Sequence, residues 1–456
     1  MATSPVLAPT DIETRTIRKV RTRIIPFVFV LFVIAVLDRN NIGFAALTMN
    51  HELAISSQQY GFVAGIFFFG YFIFEIPSNL LLHKMGARVW IARILISWGI
   101  VAILIGFVQT SFHLYVLRFL LGVAEAGYFP GIMLFLTYWF RQRDLAHTVA
   151  LFLTANAVAN VVGAPLSGII LDQVHWFGVS SWRWLLILQG IPAILGGIST
   201  YFLLPSRPAE AEFLTTEEKD WITAELAREE QQKVARRRLT AVQALAHSRV
   251  WHLTAIYFPA MVGIYAMTFW MPQFIQALSS RYSNTTVGML VMIPYLSALA
   301  VMTIVGRSSD RRLERRYHGA IPLIVAAISL VLLSTNATSS VFFSVPLWCL
   351  VASGTYSFWG PFWSLPSEFL TGFSAAAGIA LINCIGNLGG FVGPYAIGAI
   401  SRKTASFHGG LVFAGISLFT SAMLLVALRK RMGKEAADGV SMAHSTPTVM
   451  PTADTD

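Results

Sequence analysis

Asp38 and Arg39 stand side by side in an otherwise apolar run, and Arg118 and Glu125 stand seven residues apart in another. Charges inside such runs cost several kcal/mol in hydrocarbon unless they face a cavity or a partner, so they mark function by default. On a helix, adjacent residues point about 100° apart, and Asp38 and Arg39 therefore cannot simply neutralise each other. Arg118 and Glu125 would lie two turns apart, roughly 10 Å along one helical face. A guanidinium in low-dielectric surroundings attracts a carboxylate and holds it with a two-pronged fork. An acid in the same space takes up or releases a proton as its surroundings change. This chemistry makes Asp38 and Glu125 candidate proton carriers and leaves Arg39 and Arg118 for an anionic cargo. The structural alternative is a permanent pair, Arg39 with Glu125 or Asp38 with Arg118, that locks helices together. Glu75, just ahead of Pro77 and Ser78, reads as a structural or gating group, and Glu368 falls near a helix end. Trp359, Phe362 and Trp363 could shape an aromatic pocket wall.

Enzymatic chemistry finds little support. The ten histidines fall in loops or near helix ends, away from any Cys, Ser or Asp cluster that could serve as nucleophile and base. The two cysteines, Cys349 and Cys384, read as small buried hydrophobes, and no metal-ligand spacing is present. No phosphate-binding loop suggests use of ATP. The expectation is a protein that is not an enzyme and uses no cofactor or metal.

The elements that hold these charges are long apolar helices. Charged residues make up 12% of the 456-residue chain, about half the share of a soluble domain, and mean hydropathy is +0.63. Lipid as the solvent for most of the surface explains that deficit. Twelve segments reach the length of about 20 residues needed to cross a bilayer. They lie near 24–47, 59–82, 89–109, 112–136, 148–170, 182–204, 251–278, 286–306, 318–336, 341–367, 374–400 and 409–428. The expected fold is an all-α polytopic membrane protein. A polar segment 1–23 precedes a six-helix half, 24–204. A charged linker, 205–250, joins it to a second six-helix half, 251–428, and a Ser-, Thr- and Ala-rich tail, 429–456, follows as a disordered segment. Of the 33 Lys and Arg, only Arg183, Arg281, Arg402 and Lys403 fall on one face, and Arg39 and Arg118 fall within helices. The rest collect in the segment 1–23, the linker, the tail and the loops on their side, which predicts that both termini are cytoplasmic. The net charge of +10 is spent there, with no implication of nucleic-acid binding.

The halves echo each other. NLLLHKMGAR (Asn79 to Arg88) follows the second predicted helix and GRSSDRR (Gly306 to Arg312) follows the eighth, as in a duplicated transporter. These loops resemble the GxxxDRxGxR signature of the major facilitator superfamily. LDRNNIGFA (Leu37 to Ala45), FEIPSNLLL (Phe74 to Leu82) and RFLLGVAEAGYFPG (Arg118 to Gly131) resemble its anion:cation symporter branch. SSDRRLERRYH (Ser308 to His318) and GIALINCIGNLGG (Gly378 to Gly390) are similar to tartrate, rhamnonate, phthalate and 4-hydroxyphenylacetate permeases. The similarity runs over roughly residues 15–430.

The resemblance implies two pseudo-symmetric halves and proton-coupled uptake of a small organic carboxylate: a hydroxy acid, sugar acid or aromatic acid. It implies that Asp38 and Glu125 take up protons while Arg39 and Arg118 handle the anion and a gating salt bridge. Tyr71 matches a position that hydrogen-bonds substrate, and Asn156 and Asn383 match cavity positions. Asn160 and Asn387, one turn from each, are expected at helix–helix contacts instead. A monomer in a bacterial inner membrane is the implied setting. Organic-anion exchange and efflux antiport are the alternatives, although Gly163-Ala164-Pro165 replaces the adjacent Gly-Pro pair usual in efflux antiporters.

Overall fold

The computed structural model describes residues 11–235, 241–336, 340–366 and 372–428. Glu368 and the tail 429–456 lie outside the described residues, as do residues 236–240 of the linker. Among those described there is no strand, and twelve helices are long and apolar enough to cross a membrane. The first half holds α1 (Asp11–Glu52), α2 (Ser57–Met85), α3 (Ala87–Ile105), α4 (Ser111–Glu125), α5 (Tyr128–Thr137), α6 (Gln142–Gln173) and α7 (Ser181–Leu203). The linker carries α8 (Thr216–Ala235) and α9 (Ala241–Ala246). The second half holds α10 (Ser248–Ala277), α11 (Asn284–Arg312), α12 (Arg316–Asn336), α13 (Val341–Ser364), α14 (Gly372–Asn387), α15 (Gly389–Thr404) and α16 (His408–Ala427). Two crossings are helix pairs, α4 with α5 and α14 with α15.

Two differences from the hydropathy reading bear on how the site is positioned. First, α1 begins at Asp11, well before residue 24. Its charged opening stays helical because Thr16, Ile17 and Val20 form a buried stripe. Charged neighbours bind the linker: Arg15 Nε and Lys19 Nζ lie 2.9 and 2.8 Å from the buried Glu218 carboxylate of α8. Burial opposes charge on Glu218, yet hydrogen bonds from Lys19, the Thr215 N–H and Arg15 hold its carboxyl below the ordinary 4.5. The linker thus packs on the face where α1 starts. Second, the fourth crossing breaks after Glu125. Ala126 leaves helical geometry, and Gly127 adopts φ +82°. A Cβ on Gly127 would also meet Ser78 Oγ at 2.4 Å, so conformation and space both require glycine there.

The halves close against each other on the face opposite the linker. Tyr60 Oη donates to the Phe269 carbonyl at 2.7 Å, and Gln58 Nε2 donates to Tyr395 Oη at 3.1 Å. Asp172 accepts from the Asn284 and Thr285 N–H groups at 3.1 and 2.7 Å, capping the start of α11. Backbones touch where side chains are missing: a Cβ on Gly61 would lie 2.4 Å from the Pro394 carbonyl oxygen, and one on Gly168 2.4 Å from that of Asn284. Small residues at such crossings let helices approach to backbone contact.

Candidate functional site

A cavity of about 630 Å³, its open mouth included, lies between the halves on the linker side of this seal. Its wall draws on both halves. Arg39 of α1, Tyr71 of α2 and Asn156 of α6 face Tyr257 and Tyr265 of α10, Tyr356 of α13 and Asn383 of α14. Phe32, Phe129, Leu153, Met302 and Trp359 supply the apolar remainder, which extends toward the linker face. One guanidinium, four tyrosines and three asparagines converging between apolar side chains can fix and orient a small molecule.

The helical phase of α1 separates its two adjacent charges. Asp38 turns away from the cavity toward α3, where Trp98 Nε1 donates to it at 2.5 Å and Asn41 Nδ2 at 3.2 Å. Arg39 turns inward. It is ion-paired with Glu125 at the broken end of α4, and its guanidinium carbon stands 5.4 and 5.7 Å from the ring centroids of Phe67 and Tyr71. The pair is not saturated: Arg39 Nε and Glu125 Oε2 are buried without a hydrogen-bond partner. Of the two pairings the sequence allowed, only Arg39 with Glu125 forms; Asp38 and Arg118 are not in salt-bridge contact among the described residues.

Arg118, expected beside the cargo, is not in the wall of this cavity. Its guanidinium is buried behind Phe67, 5.3 Å from the ring centroid. It donates from Nε to the Val63 carbonyl at 3.3 Å and from Nη2 to that of Ala64 at 3.5 Å. The physical cause is the close approach of α4 to α2: a Cβ on Gly122 would fall 2.0 Å from the Phe67 carbonyl oxygen. An arginine one turn away has nowhere to extend except along the neighbouring backbone. Phe67 therefore stands between two cations, one facing the cavity and one behind it.

The asparagines form two crossings between the halves. Tyr356 Oη donates to Asn156 Oδ1 at 3.0 Å, and Asn160 Nδ2 donates to Tyr356 Oη at 3.1 Å. Asn40 extends this network from α1 by donating to Asn160 Oδ1 at 2.9 Å. On the other side Asn383 Nδ2 donates to Glu75 Oε1 at 2.8 Å, joining α14 to α2. Asn387, expected at a helix contact, lines the cavity. Of the aromatic trio on α13, Trp359 lines the cavity, while Phe362 stacks on Tyr257 with ring centroids 5.0 Å apart and Trp363 meets it edge-on at 5.1 Å.

Sequence reasoning passed over Tyr257, Tyr265 and Tyr356. Tyr257 and Tyr265 lie eight residues apart on α10, whose apolar window is 83% buried. That enclosure shows only in the folded chain, so no feature of the sequence distinguished these tyrosines from ones that merely pack. No group of three or more His, Cys, Asp or Glu side chains among the described residues could hold a metal.

Residues 28–394 match the family model described as Major Facilitator Superfamily. A protein provisionally named a tartrate transporter, from Agrobacterium vitis, is 44% identical over 434 residues, spanning 95% of this chain and 99% of that one. A quinolone resistance transporter of Acinetobacter baumannii is 35% identical over 432 residues, with the same shares covered. The xylose transporter XylE from E. coli, solved in a partially occluded inward-open conformation, superposes with a TM-score of 0.71 at 15% identity, covering 90% of this chain and 97% of that one. That likeness concerns the fold alone. With its twelve crossings and a central cavity shared by two halves, the chain is a multi-pass membrane transporter, not an enzyme, and belongs to the major facilitator superfamily.

Proposed function

We propose that the protein imports a small organic carboxylate together with protons by alternating access, holding the anion at Arg39. Arg39 carries this reading, because it is the guanidinium in the cavity wall and its partner Glu125 is itself a carboxylate. A cargo carboxylate competes with Glu125 for the same fork. Neutralising Glu125 with a proton releases Arg39, so proton and anion enter together. Tyr71, Asn156 and Asn383 supply neutral hydrogen bonds around the cargo, which suits a hydroxylated acid.

Asp38 is the second proton site, behind Arg39, where Trp98 and Asn41 satisfy its charged form. Arg118 binds no cargo in this state; its role is to keep positive potential beside both acids while it rests on α2. The open face is the linker face, and both termini and the linker are cytoplasmic in this account. A monomer suffices, since the cavity is complete within one chain. The setting is a bacterial inner membrane.

Thermal-shift and equilibrium binding against a panel of carboxylates test the reading. One or more hydroxy, sugar or aromatic acids stabilise the wild-type protein and fail to stabilise Arg39→Ala. Stabilisation of both proteins alike sinks Arg39 as the anion site. The quinolone-resistance relative supports a second reading, efflux antiport. Under that reading a lipophilic cation or zwitterion binds in place of the carboxylates, and proton flow opposes cargo flow.

A further inference from the structure

Glu75 is almost fully buried on α2, yet no step above uses it. Its Oε1 accepts from Asn383 Nδ2 at 2.8 Å, and its Oε2 is buried with no hydrogen-bond partner. Asn383 is part of the cavity wall, and among the described residues its side-chain amide bonds Glu75 through Nδ2 and nothing through Oδ1. Around Glu75 stand Tyr71 on its own helix, Tyr257 and Tyr265 of α10, Cys384 of α14 and, as the cation among them, Arg39 of α1.

We infer that Glu75 is a positioning residue whose protonation turns the Asn383 amide, so that a bound proton presents an N–H donor to the anionic cargo. The inference rests on the carboxylate reading above and extends it. An ionised carboxylate only accepts hydrogen bonds. It therefore fixes the amide with Nδ2 toward Glu75 and leaves Oδ1, an acceptor, for the cavity. An acceptor facing a carboxylate repels it. When a proton from water in the cavity forms an O–H bond on Glu75, the carboxyl becomes a donor toward Asn383. The amide then turns about its terminal torsion, which is broad and roughly two-fold. Oδ1 now accepts from Glu75, and Nδ2 faces the cargo. The orphaned Oε2 favours this step, because a buried charged group with an unmet lone pair is costly. Glu75 touches no cargo, and its effect passes wholly through Asn383.

Tartrate, a hydroxylated dicarboxylate, serves as the probe. Its affinity is measured across roughly pH 5 to 9 for wild type, Glu75→Gln and Asn383→Ala. Each coupled proton contributes about tenfold in affinity per pH unit. Glu75→Gln cannot titrate, so its slope falls by about one proton, and it binds more tightly than wild type at the alkaline end. Asn383→Ala removes the amide that turns and loses the same slope even if Glu75→Gln folds poorly. Unchanged slopes in the folded variants overturn the inference and leave Glu75 as a mere pin between α2 and α14. Infrared titration of the ligand-free protein decides independently. A carboxyl band absent from Glu75→Gln titrates together with a side-chain amide band absent from Asn383→Ala. Titration of the carboxyl without the amide change overturns the inference whether or not tartrate binds. Failure of every carboxylate to bind, with the coupled infrared change present, overturns only the carboxylate reading.

Discussion

Replacing Glu125 by Gln removes the carboxylate paired with Arg39, the proposed competitor of the cargo, while keeping the shape of the side chain. Glu125 is fully buried, with one oxygen on the Arg39 guanidinium and the other unpartnered. On the proposed reading, an incoming carboxylate displaces this bond or waits for Glu125 to be protonated. A hydrogen bond to a charged group contributes about 1.5–3 kcal/mol. At about 1.4 kcal/mol per decade, that corresponds to roughly ten- to hundredfold in affinity. Glu125→Gln is therefore expected to bind the anion ten- to hundredfold more tightly at alkaline pH and to lose one proton's worth of pH dependence. Because the amide carries no proton through the cycle, gradient-driven accumulation disappears while counterflow of labelled for unlabelled cargo persists. Equilibrium binding and the two flux assays in proteoliposomes measure all three. Affinity and pH dependence equal to wild type in a well-folded variant would refute the competition at Arg39. Loss of both counterflow and binding would instead mark the pair as a structural lock.

Three further outcomes follow from the geometry. Arg118→Lys reaches the membrane but loses most of its uptake per molecule, because an ammonium cannot fork onto the Val63 and Ala64 carbonyls and hold the same place behind Phe67; uptake normalised to surface protein checks this. Gly61→Ala puts a Cβ where only 2.4 Å separates it from the Pro394 carbonyl, so the seal opposite the linker loosens and cysteines at Gln58 and Tyr395 cross-link less than in the parent. Acid loosens the linker: the Glu218 carboxyl is held below 4.5 when folded, so its contribution is present above that pH and lost as pH falls through the lower folded value. Tryptic cleavage at Arg228 of α8 rises in that acid range for wild type and is already raised at neutral pH in Glu218→Gln.

The crossings were legible because apolar runs of bilayer length leave few alternatives, and their number and order match the helices seen. The start of α1 was not, since charges at residues 11–23 conceal a buried stripe that shows only once the chain is packed. The break after Glu125 was hidden for a related reason: Gly127 reads as one small residue in a glycine-bearing helix, and only its contact with Ser78 shows why the chain turns there. For the site, the rarity of charge in apolar helices singled out Asp38, Arg39, Arg118 and Glu125, but rotation about each helix axis decided what they face. Asp38 and Arg39 separate by the ordinary angle between neighbours. Arg118 is diverted onto α2 by a helix approach that no single sequence reveals. Tyr257, Tyr265 and Tyr356 escaped notice because a tyrosine in an apolar helix has the same appearance in sequence whether it packs or lines a cavity.

The central claim is that proton and carboxylate cross together through the cavity at Arg39. Purified protein in proteoliposomes, given labelled tartrate and other carboxylates found to bind, tests it under an imposed pH gradient with no other ion gradient. The account predicts accumulation on the alkaline side, collapse of that accumulation when a protonophore removes the gradient, and none with Arg39→Ala. Carboxylate movement that ignores the gradient, or accumulation that survives Arg39→Ala, would contradict it.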